Sequence, residues 1–585
     1  MGIPHLIGTL EPYATHKSLD NSKAIIDGPS FAYHILYVCR LNGIVQPGYK
    51  QLAQTAIAWL DELQQHGISI EAIYFDGFLP KEKLPVRMSR HGKTTSQQVI
   101  FHTSNPQGCW KDYVLQDHVQ DAMDLFKIGK AESMVSITPA FIVPAIMDAI
   151  RSCKRYRDIV KLVPGEADMY CAKHATESGA IIFSSDSDLL AHDLQSGAVA
   201  LFRDITKHDG TLQAAVFTPT AICERLGLEI PIAPTRLAYE RLRDKNYNMD
   251  ALVRACKSPP IDLPDYTRFK QQYVYNNSMD TLLLKVENQF QFRHMDPRTS
   301  EVMLQLVVPD RLDDIEPAIF LPVLMESSER GTAWEPSTPI RQLAYSFVSN
   351  TGKGIPLCVY EYRRVQSAAQ KGRQVDILDQ SAMRTTASDM LSISTKLQGF
   401  AGSDTQLFWL SFCLILDIQS GITQGKYSHA LHVLKAHRQK QLRLSSRISW
   451  DLVHLIAQLH AGLYSLRILH QIFQSCKSSI KPQLDVHFGN FEKLLNGVPP
   501  LTSYPDATSA IDFLSKAIDK GIFKRLRQMS LVEAEETNPQ HAKRSGNTSD
   551  KSASRKKPKA DHKPEPKFKS ANPFDALLND SKLTQ

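Results

Sequence analysis

The sequence predicts an α/β fold in which a mainly parallel sheet is flanked by helices. Two observations carry this prediction: apolar strand patterns alternate with helical patterns over residues 20–200, and several strand patterns end in an acidic residue. The chain has 585 residues, 42% hydrophobic and 22% charged, which is enough for more than one folded region. A mostly α-helical extension and a disordered basic tail are expected to follow the sheet.

The alternation predicts elements in a definite order. Strands are expected over 23–27, 71–76, 180–185 and 198–202, and helices over 31–41, 49–66, 116–128, 139–161 and 166–178. Parallel strands joined by helices bring their carboxyl ends to one edge of the sheet. Residues 78–115 break the pattern, because a basic stretch precedes a polar one with glycines and aromatics. They predict an insertion above that edge.

The rest of the chain gives mainly helical patterns. Residues 215–260 look helical, and further helices are expected over 279–290, 339–349, 407–418, 427–442 and 449–475. The most apolar run, 407–416, is about half the length of a membrane span, so it predicts a buried helix and no membrane association. The expected domains are therefore 1–260, 261–530 and a tail over 531–585.

Charge and cysteine usage narrow the function classes. The net charge is +7, and residues 543–569 alone hold ten Lys/Arg against three Asp/Glu, a difference of +7, so the remaining chain is close to neutral. The nine cysteines form no CxxC pair and are odd in number. That usage is typical of a reducing compartment and argues against a disulfide framework or a zinc ribbon.

Six acidic residues follow the predicted strand ends or begin the helix between them. They are Asp27, Asp76, Glu166, Asp168, Asp186 and Asp188. Carboxylates gathered at one sheet edge repel each other and favour bound cations, and oxygen ligands suit Mg²⁺ or Mn²⁺. Glu166 and Asp168 are two residues apart and can converge only at a helix start, which Pro164 marks.

Each acid taken alone has a simpler interpretation. Asp27 and Asp76 precede glycines and would suit turns that end a strand. Glu166 and Asp168 would suit the first turn of a helix, where the dipole favours acids, and Asp186 would suit a helix N-cap. The ordered set favours a site over these alternatives.

The motifs that hold these acids resemble those of the flap-endonuclease/XPG superfamily of PIN-like nucleases. They are Met1-Gly2-Ile3, Ile25-Ile26-Asp27-Gly28, Phe75-Asp76-Gly77, Pro164-Gly165-Glu166-Ala167-Asp168 and Ser184-Ser185-Asp186-Ser187-Asp188. The last two motifs and Pro339-Ile340-Arg341-Gln342 resemble the Asteroid branch. The superfamily resemblance covers residues 1–250 and the Asteroid resemblance runs to residue 500, both approximately.

The resemblance implies phosphodiester hydrolysis assisted by two divalent ions. Asp27, Asp76, Glu166 and Asp168 would hold the first ion, and Asp186 and Asp188 the second. Three departures stand out. Asp168 replaces the family's usual Glu, no glycine-rich helix–two-turn–helix occurs over 215–250, and a further family aspartate has no clear counterpart. Asn246 aligns best with that aspartate, and Asp244 is the nearby substitute.

A basic segment follows the Asp76 strand, where the resemblance places the gateway for a single strand. Its cations are Lys81, Lys83, Arg87, Arg90 and Lys93. The aromatics Phe101, Trp110 and Tyr113 follow and would stack unpaired bases. The alternative is an ordinary solvated loop.

These observations predict a Mg²⁺-dependent or Mn²⁺-dependent, structure-selective nuclease that cuts single-stranded or flap DNA in repair or processing, with RNA left open as a substrate. The alternative is a nuclease-derived scaffold that binds nucleic acid or proteins without cleavage, for example in RNA regulation. Two basic clusters, 543–544 and 555–559, predict nuclear import, and simple tethering to nucleic acid is the other interpretation. The apolar motif 572–578 suggests a protein partner.

Overall fold

The computed structural model describes residues 2–115, 123–129, 137–274, 294–307, 316–349, 357–367 and 369–532. Residues 1–533 form one unit, so the boundary near 260 stays a prediction. The predicted helix over 279–290 lies outside the described residues, as do the start of the helix over 116–128 and the tail from 533 onward with its import and partner motifs.

The strands in the described part of the chain belong to three sheets. They are β1 (Thr15–Ser18), β2 (Lys23–Asp27), β3 (Ser69–Asp76), β4 (Cys109–Trp110), β5 (Val160–Val163), β6 (Ile181–Ser184), β7 (Ala198–Leu201), β8 (Thr206–His208), β9 (Thr211–Phe217), β10 (Ala318–Phe320), β11 (Cys358–Tyr362), β12 (Arg373–Asp376) and β13 (Arg447–Ile448). The main sheet has the order β1-β9-β7-β6-β2-β3-β5, with β8 beside β9. Its centre, β7-β6-β2-β3-β5, is parallel, and the pairs of β9 are antiparallel.

Helices cover both faces of this sheet and build the distal half. They are α1 (Leu6–Leu10), α2 (Gly28–Leu41), α3 (Tyr49–Gln65), α4 (Leu84–Ser104), α5 (Ile142–Ser152), α6 (Ala167–Ser178), α7 (Pro219–Arg225), α8 (Ala233–Arg243), α9 (Met249–Lys257), α10 (Leu263–Gln271), α11 (Pro297–Val307), α12 (Thr338–Ser349), α13 (Gln380–Ala401), α14 (Thr405–Thr423), α15 (His429–Arg438), α16 (Trp450–Ser475), α17 (Lys477–Leu484), α18 (Phe488–Leu495), α19 (Ala507–Asp519) and α20 (Ile522–Gln528). The mixed α/β fold with a helical distal region is therefore confirmed.

Local sequence accounts for many helix starts. Side chains of Asp379, Asp404 and Ser449 accept backbone N–H groups at the starts of α13, α14 and α16, which satisfies donors that a helix leaves unpaired. By length and composition α14 and α16 are apolar enough to cross a membrane, yet 61% and 89% of their most apolar windows are buried. The expectation that 407–416 lies in a buried helix is confirmed.

Three sequence expectations about elements are wrong. The helix expected over 139–161 ends at Ser152, and β5 follows it, pairing with β3 in parallel. Residues 215–217 complete β9 instead of starting a helix. Residues 123–128, the described part of the helix expected over 116–128, are not helical. Apart from these three, residues 84–104 of the proposed insertion form one helix, α4. Strands of four residues are too short for a period to show, and the polar composition of α4 hid its helical character.

A buried ion network ties the distal strands to the helices. Arg341 on α12 donates to both carboxylate oxygens of Glu361 on β11, at 2.6 and 2.8 Å. Its third nitrogen donates to the hydroxyls of Ser337 and of Ser465 on α16. Burial alone would raise the pKa of Glu361, but Arg341 and Arg363 lower it to about 2. The Pro339–Gln342 motif therefore has a structural role, because its Arg341 pairs with Glu361 and joins α12 to β11.

Candidate functional site

The sheet topology brings the acidic motifs to one edge. Asp27 is the last residue of β2 and Asp76 the last of β3, and these strands pair in parallel. Asp186 lies two residues beyond β6, the other parallel neighbour of β2. Glu166 follows β5 and stands at the N-cap of α6. The expected helix start at this point is present, and it turns Glu166 and Asp168 toward the same edge.

Asp27 is buried and serves two neighbours. One carboxylate oxygen accepts the hydroxyl hydrogen of Ser184 at 2.6 Å, and the other accepts the backbone N–H of Ser30 at 3.4 Å. Burial raises the pKa of Asp27 to about 6, although the Ser184 hydrogen bond opposes that rise. The N-cap role at α2 therefore coexists with a place in the carboxylate cluster.

Asp76 joins the end of β3 to the start of α6. Its Oδ1 accepts the backbone N–H of Ala167 at 2.7 Å. Burial, together with the nearby charges of Asp27 and Glu166, raises the pKa of Asp76 to about 7. A carboxylic acid with such a pKa is held near other negative charge in a poorly hydrated setting.

Asp168 and Asp188 are also repelled by neighbouring carboxylates. Burial, then the charges of Asp27, Asp186 and Asp76, raises the pKa of Asp168 well above its usual range. Burial and Asp186 raise the pKa of Asp188 to about 6. Asp186 Oδ1 accepts the Asp188 N–H at 3.1 Å, so Asp186 does act as an N-cap, here of a short 3₁₀ helix. The six predicted acids thus lie in one carboxylate cluster.

The cluster fits hard divalent cations by its chemistry. Every donor is a carboxylate oxygen, and Asp188 Oδ1 is buried without a hydrogen-bond partner. Among the described residues, however, no three His, Cys, Asp or Glu side chains converge as a ready metal group. Lys83 Nζ lies 3.2 Å from Glu166 Oε1 and supplies part of the countercharge.

The N-terminal motif has a steric explanation at this site. Gly2 has φ +131°, and a Cβ there would lie 2.1 Å from Ser187 Oγ and 2.4 Å from Asp186 Oδ1. The Ser187 hydroxyl also donates to the Ile3 carbonyl at 3.3 Å. Only glycine lets the N-terminal segment approach the Asp186 motif so closely.

Asn246 and Asp244, the candidates for the further family aspartate, lie in the turn after α8. Asn246 is exposed, and its backbone N–H is bound by Asp244 Oδ1 at 2.8 Å, which closes the turn after α8. Tyr273, which sequence reasoning missed, faces the cluster instead. Burial and the charges of Asp188, Asp186 and Asp168 raise the pKa of its phenol. A tyrosine just beyond a short helix carries no motif that could have revealed it.

The basic segment divides into engaged and free cations. Lys83 is held by Glu166, while Arg87 forms a two-pronged ion pair with Glu301 and lies over the Phe320 ring at 4.3 Å. Arg90 and Lys93 are exposed on α4, and the side chain of Lys81 is outside the described set. Arg87 therefore pairs with α11. The sequence had predicted that it would contact a nucleic-acid strand in the gateway.

The expectation that three aromatics stack bases is wrong for two of them. Phe101 and Tyr113 are 4% and 5% exposed and pack on each other with ring centroids 4.7 Å apart. Trp110 remains 41% exposed, but the guanidinium of Arg447 covers its ring at 3.6 Å. Sequence spacing could not show that β4 pairs with β13 and turns these rings toward the extension.

Comparison with known proteins agrees with the resemblance seen in the motifs. Residues 138–377 match a family model described as XPG domain containing. Asteroid homolog 1 of Schizosaccharomyces pombe is 23% identical over 405 residues, which is 63% of this chain and 65% of that protein. The chain therefore spans less than two thirds of the length of this relative. The matched region holds Glu166, Asp168, Asp186 and Asp188.

Proposed function

We propose that the chain, which is similar to the Asteroid/XPG family of nuclease-like proteins, is a metal-dependent nuclease that cuts single-stranded or flap DNA. One observation carries the proposal. Six carboxylates share one sheet edge, and at least four of them have a raised pKa. A turn residue, a first-turn acid or an N-cap would not need five other carboxylates beside it. Retained mutual repulsion is costly unless cations relieve it.

The residues of the cluster divide by position. Asp27, Asp76, Glu166 and Asp168 would hold one Mg²⁺ or Mn²⁺, and Asp186 and Asp188 a second. Bound there, the ions would lower the pKa of an attacking water and offset charge on the scissile phosphate. Binding requires small side-chain movements, because no ready three-ligand group exists among the described residues.

The chain's own groups would then position the substrate. The Lys83 ammonium lies 3.2 Å from Glu166. Once cations neutralise the cluster, it can leave that carboxylate and pair with a substrate phosphate. Arg90 and Lys93 extend the positive surface along α4. Contacts of this kind read backbone and shape and not base sequence.

The alternative proposal is a scaffold that binds nucleic acid or protein without cleavage. The Lys83–Glu166 ion pair favours it, because it partly satisfies the cluster without metal. The exposed Asn246 favours it as well, since this side chain adds no carboxylate to the cluster. Nuclear import through the basic tail and a role in DNA repair are further proposals, motivated by the clusters at 543–544 and 555–559.

Cleavage assays on the purified full chain separate these proposals. Labelled flap, single-stranded DNA and RNA substrates would be incubated with Mg²⁺, Mn²⁺ or EDTA. The nuclease proposal expects metal-dependent products that Asp186→Asn abolishes and that Asp512→Asn, at an exposed site on α19, leaves unchanged. Equal binding of substrates by parent and Asp186→Asn, with no products from either, would establish the scaffold.

Nuclear import has its own test. A tagged chain truncated at Asn538 should lose nuclear accumulation. Continued accumulation in nuclei would exclude the tail as the import signal.

A further inference from the structure

A cavity of about 440 Å³ lies beside the carboxylate cluster. Its walls come from the segment after Asp76, from α4, from α11 and from the small β10-β11-β12 sheet, and Phe78, Leu84, Phe320, Tyr360 and Tyr362 give it an apolar, aromatic lining. We call this cavity the aromatic pocket. Neither the acidic motifs nor the expected gateway cations account for it.

We propose that the aromatic pocket receives an unpaired nucleobase of the strand bound at the carboxylate cluster. The inference deepens the proposed function and rests on it. Its first support is the strand register. Tyr360 and Tyr362 are two residues apart on β11, so both point to the same half-exposed face, while Val359 and Glu361 are buried on the other.

The stack of rings gives the pocket its chemistry. Phe320 and Tyr362 are parallel, with centroids 4.4 Å apart and planes at 11°, and Arg87 covers the far face of Phe320. The half-exposed rings of Tyr360 and Tyr362, which line the cavity, therefore offer a platform for another flat ring. The volume lies within the range of cavities that hold small organic ligands.

The backbone keeps this platform open. A Cβ on Gly372 would meet Tyr360 Cβ at 3.0 Å and the Glu361 carbonyl oxygen at 3.2 Å. A larger residue would push β12 away or tilt Tyr360 into the cavity. The buried Arg341–Glu361 pair fixes the opposite face of the same strand.

The polar groups of the pocket indicate stacking without base reading. Gln305 exchanges both of its amide hydrogen bonds with the backbone of Ala318, and Glu301 is held by Arg87. Tyr360 donates its hydroxyl to Glu316. Exposed Lys371 stands at the rim, where it can meet a phosphate. The occupant is thus recognised as a flat ring on a charged backbone, in DNA or RNA.

Position relative to the cluster supports the same occupant. Phe78 is two residues from Asp76, which limits their Cα separation to about 7 Å. Ser300 donates to the Gly77 carbonyl at 2.6 Å, next to Glu301 in the pocket wall. A strand whose phosphate lies at the carboxylates therefore passes the mouth of the pocket.

Fluorescence of 2-aminopurine tests the inference without any cleavage. Full-length protein that carries Asp186→Asn, in Mg²⁺, is the parent for this test, so that a cation is present but no product forms, and it would be titrated with single-stranded DNA or RNA oligonucleotides that carry 2-aminopurine at successive positions. We expect strong quenching at one position, and Tyr362→Ala should remove it and weaken binding about 5-fold to 150-fold, the range for loss of one base stack. Tyr362→Phe is the matched control and should retain both.

An abasic residue completes the test. Placed at the quenched position, it should weaken binding by the parent protein but cost Tyr362→Ala nothing more, and the DNA and RNA series identify the favoured strand. Binding with no quenched position, or equal affinity of parent and Tyr362→Ala, would overturn the pocket assignment even if cleavage is found. Displacement of the oligonucleotide by an aromatic peptide but not by free nucleotides would assign the pocket to a protein partner instead. Quenching without cleavage by the unsubstituted chain would retain the pocket and reject the nuclease.

Discussion

Neutralising Asp76 should stabilise the metal-free protein. In the folded state its pKa is raised to about 7 from 3.8. At about 1.4 kcal/mol per pKa unit, ionised Asp76 costs up to about 4 kcal/mol of folding free energy. The side chain is partly exposed, so solvent screening halves this to about 2 kcal/mol. Asp76→Asn keeps an oxygen that can accept the Ala167 N–H.

The sign of the effect depends on pH. Because the folded pKa is raised, the stabilising contribution of the protonated acid is complete below the unfolded pKa near 4 and is lost as pH rises through about 7. The advantage of Asp76→Asn over the parent should therefore widen between pH 5 and pH 8. For a unit of this size, about 2 kcal/mol corresponds to a rise in Tm of about 2 °C.

Differential scanning fluorimetry in EDTA from pH 5 to pH 8 measures this directly. Asp512→Asn serves as the exposed control and should track the parent. Excess Mg²⁺ should then reverse the order, because the parent binds the ion more tightly and gains more from it. An Asp76→Asn protein that melts at or below the parent at pH 8 in EDTA would refute the repelling cluster.

Three further predictions concern other parts of the chain. Arg341→Leu should cost about 3–5 kcal/mol because buried Glu361 loses its two-pronged partner and keeps only Arg363 as a cation beside it, whereas Arg341→Leu with Glu361→Leu should recover part of the loss in urea unfolding; equal loss in both would deny the pairing. Gly2→Ala should reduce cleavage at least 10-fold with little change in Tm, because its Cβ would collide with Asp186 and Ser187; unchanged cleavage would show that the N-terminal segment is not needed. Asn246→Asp should leave the Mg²⁺ dependence of cleavage unaltered, since Asn246 is exposed, and a shift to lower Mg²⁺ would place it in the site after all.

Sequence reasoning reached the sheet and the acids because both leave local signals. An apolar run that ends in Asp27 or Asp76 predicts a strand end, and parallel topology then brings the ends together. Pairing between distant segments leaves no such signal. Burial of Phe101, capture of Arg87 by Glu301 and the position of Tyr273 all depend on the extension folding back onto the first half of the chain.

The buried Arg341–Glu361 pair has a consequence for how this lineage can change. Loss of Arg341 leaves buried Glu361 with Arg363 as its single cation, and loss of Glu361 strands the Arg341 charge in the core, so the two are constrained to change together. The acids of the carboxylate cluster are under no such constraint, because removing one relieves repulsion. A descendant could therefore shed its acids one by one, gaining stability at each step, and still carry the motif around Arg341. That motif marks shared architecture, and the acids must be checked separately before any relative is counted as an enzyme.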